Sequence, residues 1–466
     1  MTAATEAGWE GIDVGSFATT VSLSGLTVRD ASDGVTVNGA TVVVAGLGID
    51  GAADAGLTLT GGARFAEGAN GVVVTGSGEW GVRGEVATAH TLPSIGSAYD
   101  GNGFDGVYLS GDTIDDEVEW ENLGVPYVVS ENVEVAGNVG EPAVLTVGAG
   151  VSILFEHDRQ LRFSRTGNAS QLVVNGTADA PVTLGGLGAD TAGYWRGIDV
   201  STGASPIELH HVVVAGAGEA GGAALVIEGT TLLVDEVSIS GSAGAGILFG
   251  EGASFHAGSI GLSVTESALA LELPAAAVAS IPGERLSVQG NITPAVKVAG
   301  DAEVTSSGVW VDPGIPYWIA DDVEVDGTAD NPIILEIGAG VSLRFDNDTG
   351  LFVGKNGAAG LLISGTADAP VSMLPWSAEV AGAWSGVGIF DAALDDIVLI
   401  QHLEIGYGGG ASLKGNLHID DAAPVVDTLY VHNSLEWGVY LAGDAAPALA
   451  NVTYATNVSG ECNACL

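Results

Sequence analysis

The chain has 466 residues, of which 58 are acidic and 12 are basic, so its formal net charge is −46 although 47% of its residues are hydrophobic. Disordered acidic chains are poor in apolar residues, which excludes intrinsic disorder for most of this one. The negative field excludes nucleic acid as a partner and disfavours anionic membrane surfaces. No apolar run reaches the length of a membrane span, so no membrane insertion is predicted.

An internal repeat of about 190 residues organises the sequence. The segment GVPYVVSENVEV from Gly124 recurs as GIPYWIADDVEV from Gly314, and WEGIDV at Trp9 precedes WRGIDV at Trp195. Because the first copy starts in the middle of the repeat, we expect a chain excised from a longer array. The predicted cassettes of one continuous solenoid span residues 1–123, 124–313 and 314–466.

Within each cassette the apolar residues alternate with period two over short stretches. Val151, Ile153 and Phe155 form one such series, and glycine, asparagine and aspartate separate it from the next. This pattern predicts strands and tight turns rather than helices. Stacking each coil on the previous one buries the apolar interior. We therefore predict an all-β, right-handed parallel β-helix of about 20 coils, forming a single elongated rod.

The motifs of the cassette carry a resemblance to a known family. LTVGAGV from Leu145, NGTADAPVT from Asn175 and IELHHVVVAG from Ile207 resemble the tandem cassettes of right-handed parallel β-helix surface proteins of bacteria and archaea. The resemblance implies a non-catalytic extracellular or cell-surface protein that acts as a stalk, an adhesin, or a surface-layer or polysaccharide-binding element. It implies surface polysaccharide or further copies of the same protein as partners. Since the first residues, MTAATEAGWEG, contain no secretory signal, the sequence itself gives no localisation.

The alternative function is a secreted acidic-polysaccharide lyase or glycoside hydrolase of the same fold. The best candidate for such a site, or for polysaccharide binding, is a basic cluster of Arg159, Arg162 and Arg165. Arg162 should point outward because it lies between two apolar residues. Acidic residues just before the cluster favour simple solvated pairing. The absence of a complete acid/base set in the sequence favours the non-catalytic function.

Two tryptophans, Trp195 and Trp384, recur at one cassette position and are candidates for stacking on sugar rings. A large aromatic residue at a fixed coil corner more often fills the core, and this second interpretation is favoured. His211 and His402 also recur at one position. Without a second recurring ligand, we interpret them as turn residues rather than metal ligands.

Two oxygen-rich segments are candidate calcium sites. The ligands are Asp346 and Asp348 in one segment, and Asp100, Asn102 and Asp105 in the other. Their alternate spacing beside glycine suits a loop around a hard cation, whereas turns capped by their own side chains are the simpler interpretation. Cys462 and Cys465, the two cysteines, form either a terminal disulfide or two free thiols.

Overall fold

The computed structural model describes residues 9–111, 113–138, 140–164, 169–188, 191–300 and 303–465. Its strands pair in parallel with strands of the neighbouring coil, as in the pairings of Leu57 with Val82 and of Leu335 with Leu361. The coils number about 18, slightly fewer than expected. The length of a coil varies, as residues that bond each other on adjacent coils show. Ser342 and Ser372, whose hydroxyls bond each other, are 30 residues apart, whereas Ser242 and Ser267 are 25 residues apart. The predicted parallel β-solenoid is confirmed.

The strands are short and follow one another through the described part of the chain. The first are β1 (Ile12–Val14), β2 (Thr20–Ser22), β3 (Leu26–Arg29), β4 (Val35–Asn38), β5 (Thr41–Val43), β6 (Ala45–Asp50), β7 (Leu57–Thr60), β8 (Arg64–Phe65), β9 (Asn70–Thr75), β10 (Trp80–Glu85), β11 (Phe104–Ser110), β12 (Thr113–Ile114), β13 (Glu117–Trp120), β14 (Tyr127–Val129), β15 (Val133–Val135), β16 (Ala143–Val147), β17 (Ser152–Phe155), β18 (Gln160–Phe163), β19 (Ser170–Asn175), β20 (Val182–Gly186), β21 (Gly197–Val200), β22 (Ile207–Ala215) and β23 (Leu225–Ile227).

The remaining strands continue in the same manner, with little helix among the described residues. They are β24 (Thr231–Ser240), β25 (Ala245–Phe249), β26 (Ser254–Phe255), β27 (Ile260–Thr265), β28 (Leu269–Leu273), β29 (Thr293–Val298), β30 (Gly308–Trp310), β31 (Tyr317–Ile319), β32 (Val323–Val325), β33 (Ile333–Ile337), β34 (Ser342–Phe345), β35 (Gly350–Val353), β36 (Ala359–Ser364), β37 (Val371–Pro375), β38 (Gly386–Ile389), β39 (Ala393–Gly406), β40 (Gly415–Asp420), β41 (Val425–His432), β42 (Trp437–Ala442), β43 (Ala448–Ala455) and β44 (Gly460–Cys462). The helical segments are α1 (Ala275–Val278) and two 3₁₀ turns (Ala89–Thr91 and Glu219–Gly221). Within the described ranges, none of these helices is long and apolar enough to cross a membrane.

The chain divides into two compact units. Unit 1 comprises Met1–Gly246 with Gly258–Ala268, and unit 2 comprises Ile247–Ala257 with Leu269–Leu466. The cassette bounds inferred from the repeat stay a prediction. In unit 2, Cys462 and Cys465 form a disulfide, which decides between the two states left open by the sequence.

In unit 1, one face of the solenoid is a continuous parallel ladder that reaches from β1 to β27. Side chains that point inward from successive strands lie in register and are buried, as the alternation predicted. This inward row consists of Val35, Leu57, Val82, Val107, Tyr127, Ile153, Leu184, Val214, Ile239 and Val264. The row forms one wall of the core of this unit.

In unit 2, three ladders form the faces of the coil. One runs from β28 through β29, β31, β34, β37, β39 and β41 to β43, a second joins β30, β33, β36 and β39, and a third joins β32, β35, β38, β40, β42 and β44. The long strand β39 belongs to two faces because it bends at His402, whose φ is 48°. On the next two coils Thr428 and Asn451 occupy the same corner, with φ of 62° and 54°. The recurring histidine thus marks a left-handed corner of the backbone.

Polar side chains inside the coil tie its corners together. In unit 2, Asn416 has no exposed surface. Its side-chain oxygen accepts from the N–H of Gly408 at 2.6 Å, and its amide nitrogen donates to the carbonyls of Ile405 and His432 at 3.3 and 2.7 Å. These bonds join two parts of one coil to each other and to the next coil. Because a buried amide needs all its partners, this corner specifies one arrangement of the backbone.

Candidate functional site

A groove on the outer surface of unit 1 gathers three aromatic side chains. The Trp80 patch, as we call it, consists of Trp80, Phe104 and Tyr108 together with Arg83 and Glu156. The centroid of the Trp80 ring lies 5.0 Å from those of both Phe104 and Tyr108. Phe104 is 56% exposed, far more than the buried aromatic residues of the core. The patch therefore offers aromatic surface to solvent.

A bulge in the sheet positions these rings. Trp80 begins β10 and pairs with Phe104, but Val82 pairs with Val107, so β11 contains one extra residue. Such a bulge changes the direction of the neighbouring side chains. Gly106 lies within the extra segment, and a Cβ built there would be 3.1 Å from an edge carbon of the Trp80 ring. The missing side chain allows the indole to lie against the backbone between the other two rings.

Polar groups lie beside the aromatic rings. The Tyr108 hydroxyl donates to Glu156 Oε1 at 3.1 Å, and Arg83 pairs with Glu79. Burial, followed by the hydrogen bond to Glu156, raises the pKa of the Tyr108 hydroxyl above its ordinary value. This hydroxyl therefore stays protonated at neutral pH and serves as a hydrogen-bond donor.

The groove has the size of a small-ligand site. Its volume is about 530 Å³, within the range of roughly 300–1,000 Å³ that is usual for such sites. It is lined by Thr58, Leu59, Thr60, Trp80, Arg83, Gly84, Phe104, Tyr108, Ser110 and Glu156. Flat aromatic faces flanked by hydroxyl, guanidinium and carboxylate groups can pack against the apolar face of a sugar ring and bond its hydroxyls.

A second cavity of similar size, about 540 Å³, lies beside α1 in unit 2. Alanine, serine, threonine, glycine and proline make up most of its lining, and Glu251 is the one ionisable residue there. It contains no aromatic ring and no pair of groups suited to acid/base chemistry. The Trp80 patch is therefore the stronger candidate.

Acidic residues lie next to the predicted basic cluster and offset its positive charge. Arg162 points outward, as expected, lies between Glu134 and Asp199 on the adjacent strands, and donates from Nε to Gln160 at 2.8 Å. Arg159 is half-buried, and Arg165 lies outside the described residues. The sequence interpretation missed a further arginine, which follows the recurring tryptophan.

That arginine is Arg196, the neighbour of the predicted cluster. It pairs with Asp158 and, at 3.1 Å, with Glu219. The cationic charge around the cluster is therefore largely matched by acidic groups, which favours the interpretation as solvated pairing.

The recurring tryptophans belong to the core, and their candidacy as sugar-stacking residues is corrected. Trp195 and Trp384 have no exposed surface. Each indole N–H donates to a backbone carbonyl at 2.8 Å, and each ring stacks at 4.2 Å on a buried phenylalanine, Phe155 or Phe345. A ring enclosed in this way fills the coil and presents no face to a ligand.

Three of the five candidate calcium ligands, Asp346, Asn102 and Asp105, have hydrogen-bond partners within the protein. Asp346 Oδ2 accepts from the indole N–H of Trp318 at 3.1 Å, and the Asp348 backbone is left-handed with φ of 65°. Asn102 is half-buried, and its side-chain amide bonds Ser77, Val74 and Tyr99, while Asp105 accepts from the N–H of Asn102 at 2.8 Å.

Among the carboxylates of the two candidate segments, these contacts engage one oxygen of Asp346 and one of Asp105. Across the described ranges, no three His, Cys, Asp or Glu side chains are grouped so that they could hold a metal ion. Calcium binding stays a prediction.

Sequence reasoning missed the Trp80 patch because its residues do not recur with the cassette. The spacing of Trp80 and Phe104 in the sequence is a usable signal, because it equals the length of one coil. Residues one coil apart lie side by side on adjacent strands, as these two do. Aromatic residues that repeat with the coil period but not with the cassette period indicate a local surface feature.

Compared with known proteins, the chain matches no family model, no curated protein and no solved structure. The parallel β-solenoid therefore rests on the register of the strands.

Proposed function

We propose that this chain is a non-catalytic, carbohydrate-binding β-solenoid of the cell surface or the extracellular space, and that the Trp80 patch takes a sugar ring. The proposal rests on one observation above all. Phe104, Trp80 and Tyr108 form a partly exposed aromatic cluster in a groove of ligand size, beside side chains that donate and accept hydrogen bonds.

The chemistry of the groove supports binding rather than catalysis. An inverting hydrolase needs two carboxylates about 6.5–9.5 Å apart, and Glu156 is the one carboxylate among the lining residues. A lyase needs a base, but the raised pKa of Tyr108 disfavours the phenolate. The Arg83 guanidinium, whose charge would favour the phenolate, is the smallest of the effects on the pKa of Tyr108 and is also paired with Glu79. These features support binding as the function of the groove.

The test compares matched aromatic variants on a panel of neutral and acidic polysaccharides. Phe104→Ala removes the most exposed ring of the patch, whereas Phe17→Ala removes a fully exposed ring elsewhere in unit 1. We expect Phe104→Ala to weaken binding about tenfold, the size of a lost aromatic contact together with its buried area. We expect Phe17→Ala to bind like the unchanged protein.

Two outcomes would contradict the proposal. If Phe104→Ala and Trp80→Ala retain full affinity for every polysaccharide that the unchanged protein binds, the patch is not the site. If the protein releases unsaturated or reducing ends from any of these polysaccharides, the alternative function as a lyase or hydrolase replaces binding alone.

A further inference from the structure

An aromatic and cationic surface in unit 2 shares no residue with the Trp80 patch. The Trp318 patch consists of Trp318, Trp376, Lys297, Arg344 and Asp346. The two indoles are stacked, with centroids 4.9 Å apart and planes 7° from parallel. The Lys297 ammonium lies 5.3 Å from the centroid of the Trp318 ring and pairs with Glu272 at 2.8 Å.

Register places Arg344 in the middle of this surface. On one outward column of the sheet, Arg344 lies between Trp318 on the preceding strand and Leu374 on the following strand. Asp346 is two residues further along the same coil and is bonded to the Trp318 indole. The position therefore holds a guanidinium beside a stack of two aromatic rings.

Arg344 has no partner among the described residues, with neither an ion pair nor a hydrogen bond. Arg83, Arg196 and Lys297 all pair with carboxylates. The guanidinium of Arg344 keeps its planar set of donors available, a geometry that matches a carboxylate or a sulfate.

We propose that the Trp318 patch binds an anionic sugar residue, with its ring against the tryptophans and its acidic group on Arg344. A carboxylate of a uronic acid and a sulfate ester share the required chemistry. The strong net charge does not prevent this contact. At an ionic strength of about 0.15 M the screening length is about 8 Å, so distant acidic residues are screened whereas a direct ion pair is not.

The test uses short sugars, so that the ligand itself carries little charge. Trigalacturonate is compared with its methyl ester, which has the same rings without the charges, and with a sulfated trisaccharide, by titration calorimetry at about 0.15 M salt. We expect at least one anionic form to bind at least tenfold more tightly than the methyl ester, because charge-assisted hydrogen bonds contribute that much. Comparable binding of the neutral ester would overturn the proposal.

Variants locate the interaction. Arg344→Gln should lose about tenfold in affinity for the anionic sugar, and Arg344→Lys should lose part of it, since lysine keeps the charge but not the planar donors. Arg29→Gln, an exposed arginine of unit 1 that lies near Asp50, is the matched control and should bind normally. An unchanged affinity in Arg344→Gln would also overturn the proposal.

The two proposed sites can be separated. Phe104→Ala should weaken polysaccharide binding by the same factor whether or not Arg344→Gln is also present. The Arg344→Gln variant should have the melting temperature of the unchanged protein, because the Arg344 side chain has no partner to lose among the described residues. If Phe104→Ala has no effect while Arg344→Gln abolishes binding of the anionic sugar, the Trp80 proposal fails and this one stands.

Discussion

The two units place their surface aromatics on different coils of the same architecture. In unit 2 the pairing of Leu269 with Thr293 shifts before Leu271 and Val296, as the pairing of Trp80 with Phe104 shifts before Val82 in unit 1. The bulge is therefore present in both units. Its side chains differ: the positions that hold Trp80, Phe104 and Tyr108 in unit 1 hold Leu269, Thr293 and Lys297 in unit 2.

The Trp318 patch shows the opposite distribution, since its aromatic residues are present in unit 2 and replaced by aliphatic residues in unit 1. The strand pairings show that Trp318 and Arg344 in unit 2 correspond to Val128 and Leu154 in unit 1. Trp376 corresponds to Leu187, because their backbone N–H groups donate to the carbonyls of the equivalent residues Phe345 and Phe155. In contrast, buried residues are shared: Tyr127 and Tyr317 both donate to a carbonyl six residues earlier, at 2.8 and 2.7 Å. Repeated residues build the coil, and residues that differ between the copies distinguish their surfaces.

The largest expected effect concerns the repeated tryptophans. Trp195→Ala and Trp384→Ala each remove a fully enclosed ring, so we expect each to lower the free energy of unfolding by about 3–5 kcal/mol. Phe104→Ala removes an exposed ring and should cost about 1 kcal/mol or less. Urea unfolding measures all three. Similar losses for Phe104 and the two tryptophans would break the division into core and surface aromatics.

The next effect concerns the glycine beneath the Trp80 ring. A Cβ at Gly106 would lie 3.1 Å from the indole and 3.2 Å from the carbonyl oxygen of Pro126, whereas unit 2 has Ala295 at this position and no tryptophan above it. We expect Gly106→Ala to displace the ring, lowering stability by about 1–2 kcal/mol and glycan affinity about fivefold.

Gly15→Ala is the control for this prediction, because nothing lies within 4 Å of a Cβ there. Thermal unfolding and polysaccharide titration of the two variants are the measurements. If Gly106→Ala binds glycan as tightly as Gly15→Ala, the placement of Trp80 over a bare backbone has no role in binding.

The smallest expected effect concerns calcium. Asp158 in unit 1 pairs with Arg196, but the corresponding Asp348 in unit 2 faces Ser385, whose hydroxyl donates to the Asp348 carbonyl at 2.8 Å. The Asp348 carboxylate therefore lacks the paired arginine that Asp158 has. Because one oxygen of Asp346 is already engaged by Trp318, we expect added calcium to raise the melting temperature by no more than about 2 °C.

Asp348→Asn should abolish this small rise, and an Asp100→Asn variant should retain it. The melting temperatures are compared with calcium and with a chelator at constant ionic strength. Equal values for the unchanged protein in both conditions would contradict the calcium prediction for Asp346 and Asp348.

The fold was predictable because its signals are local and repeated. Alternation such as Val151, Ile153 and Phe155 determines which side chains point inward, and stacking is the arrangement that buries them all. The same logic placed Arg162 outward. These predictions need only the two-residue period of a strand, which the sequence displays directly.

The candidate site was not predictable in the same way. The Trp80 patch depends on a bulge and on the absence of one Cβ at Gly106, and neither has a repeated signature. Asn102 has the residue type and spacing of a metal ligand. Its side chain instead bonds Ser77 and Val74 on the neighbouring coil, and the sequence alone does not show which residues lie there. Trp195 and Trp384 show the opposite case, in which repetition itself indicated the core. Surface chemistry depends on neighbours in space, and these were unknown until the coil length was fixed.

The hydrogen bonds of Asn416 have a consequence for how unit 2 opens. In a stack, each coil is stabilised mainly by its immediate neighbours, so unfolding can begin at one place and stop at another. A side chain that bonds Gly408, Ile405 and His432 links the opening of two adjacent coils, because neither can separate without breaking it. Amide protons on both coils should therefore exchange with solvent as one cooperative block, and Asn416→Ala should divide that block into two that exchange at different rates.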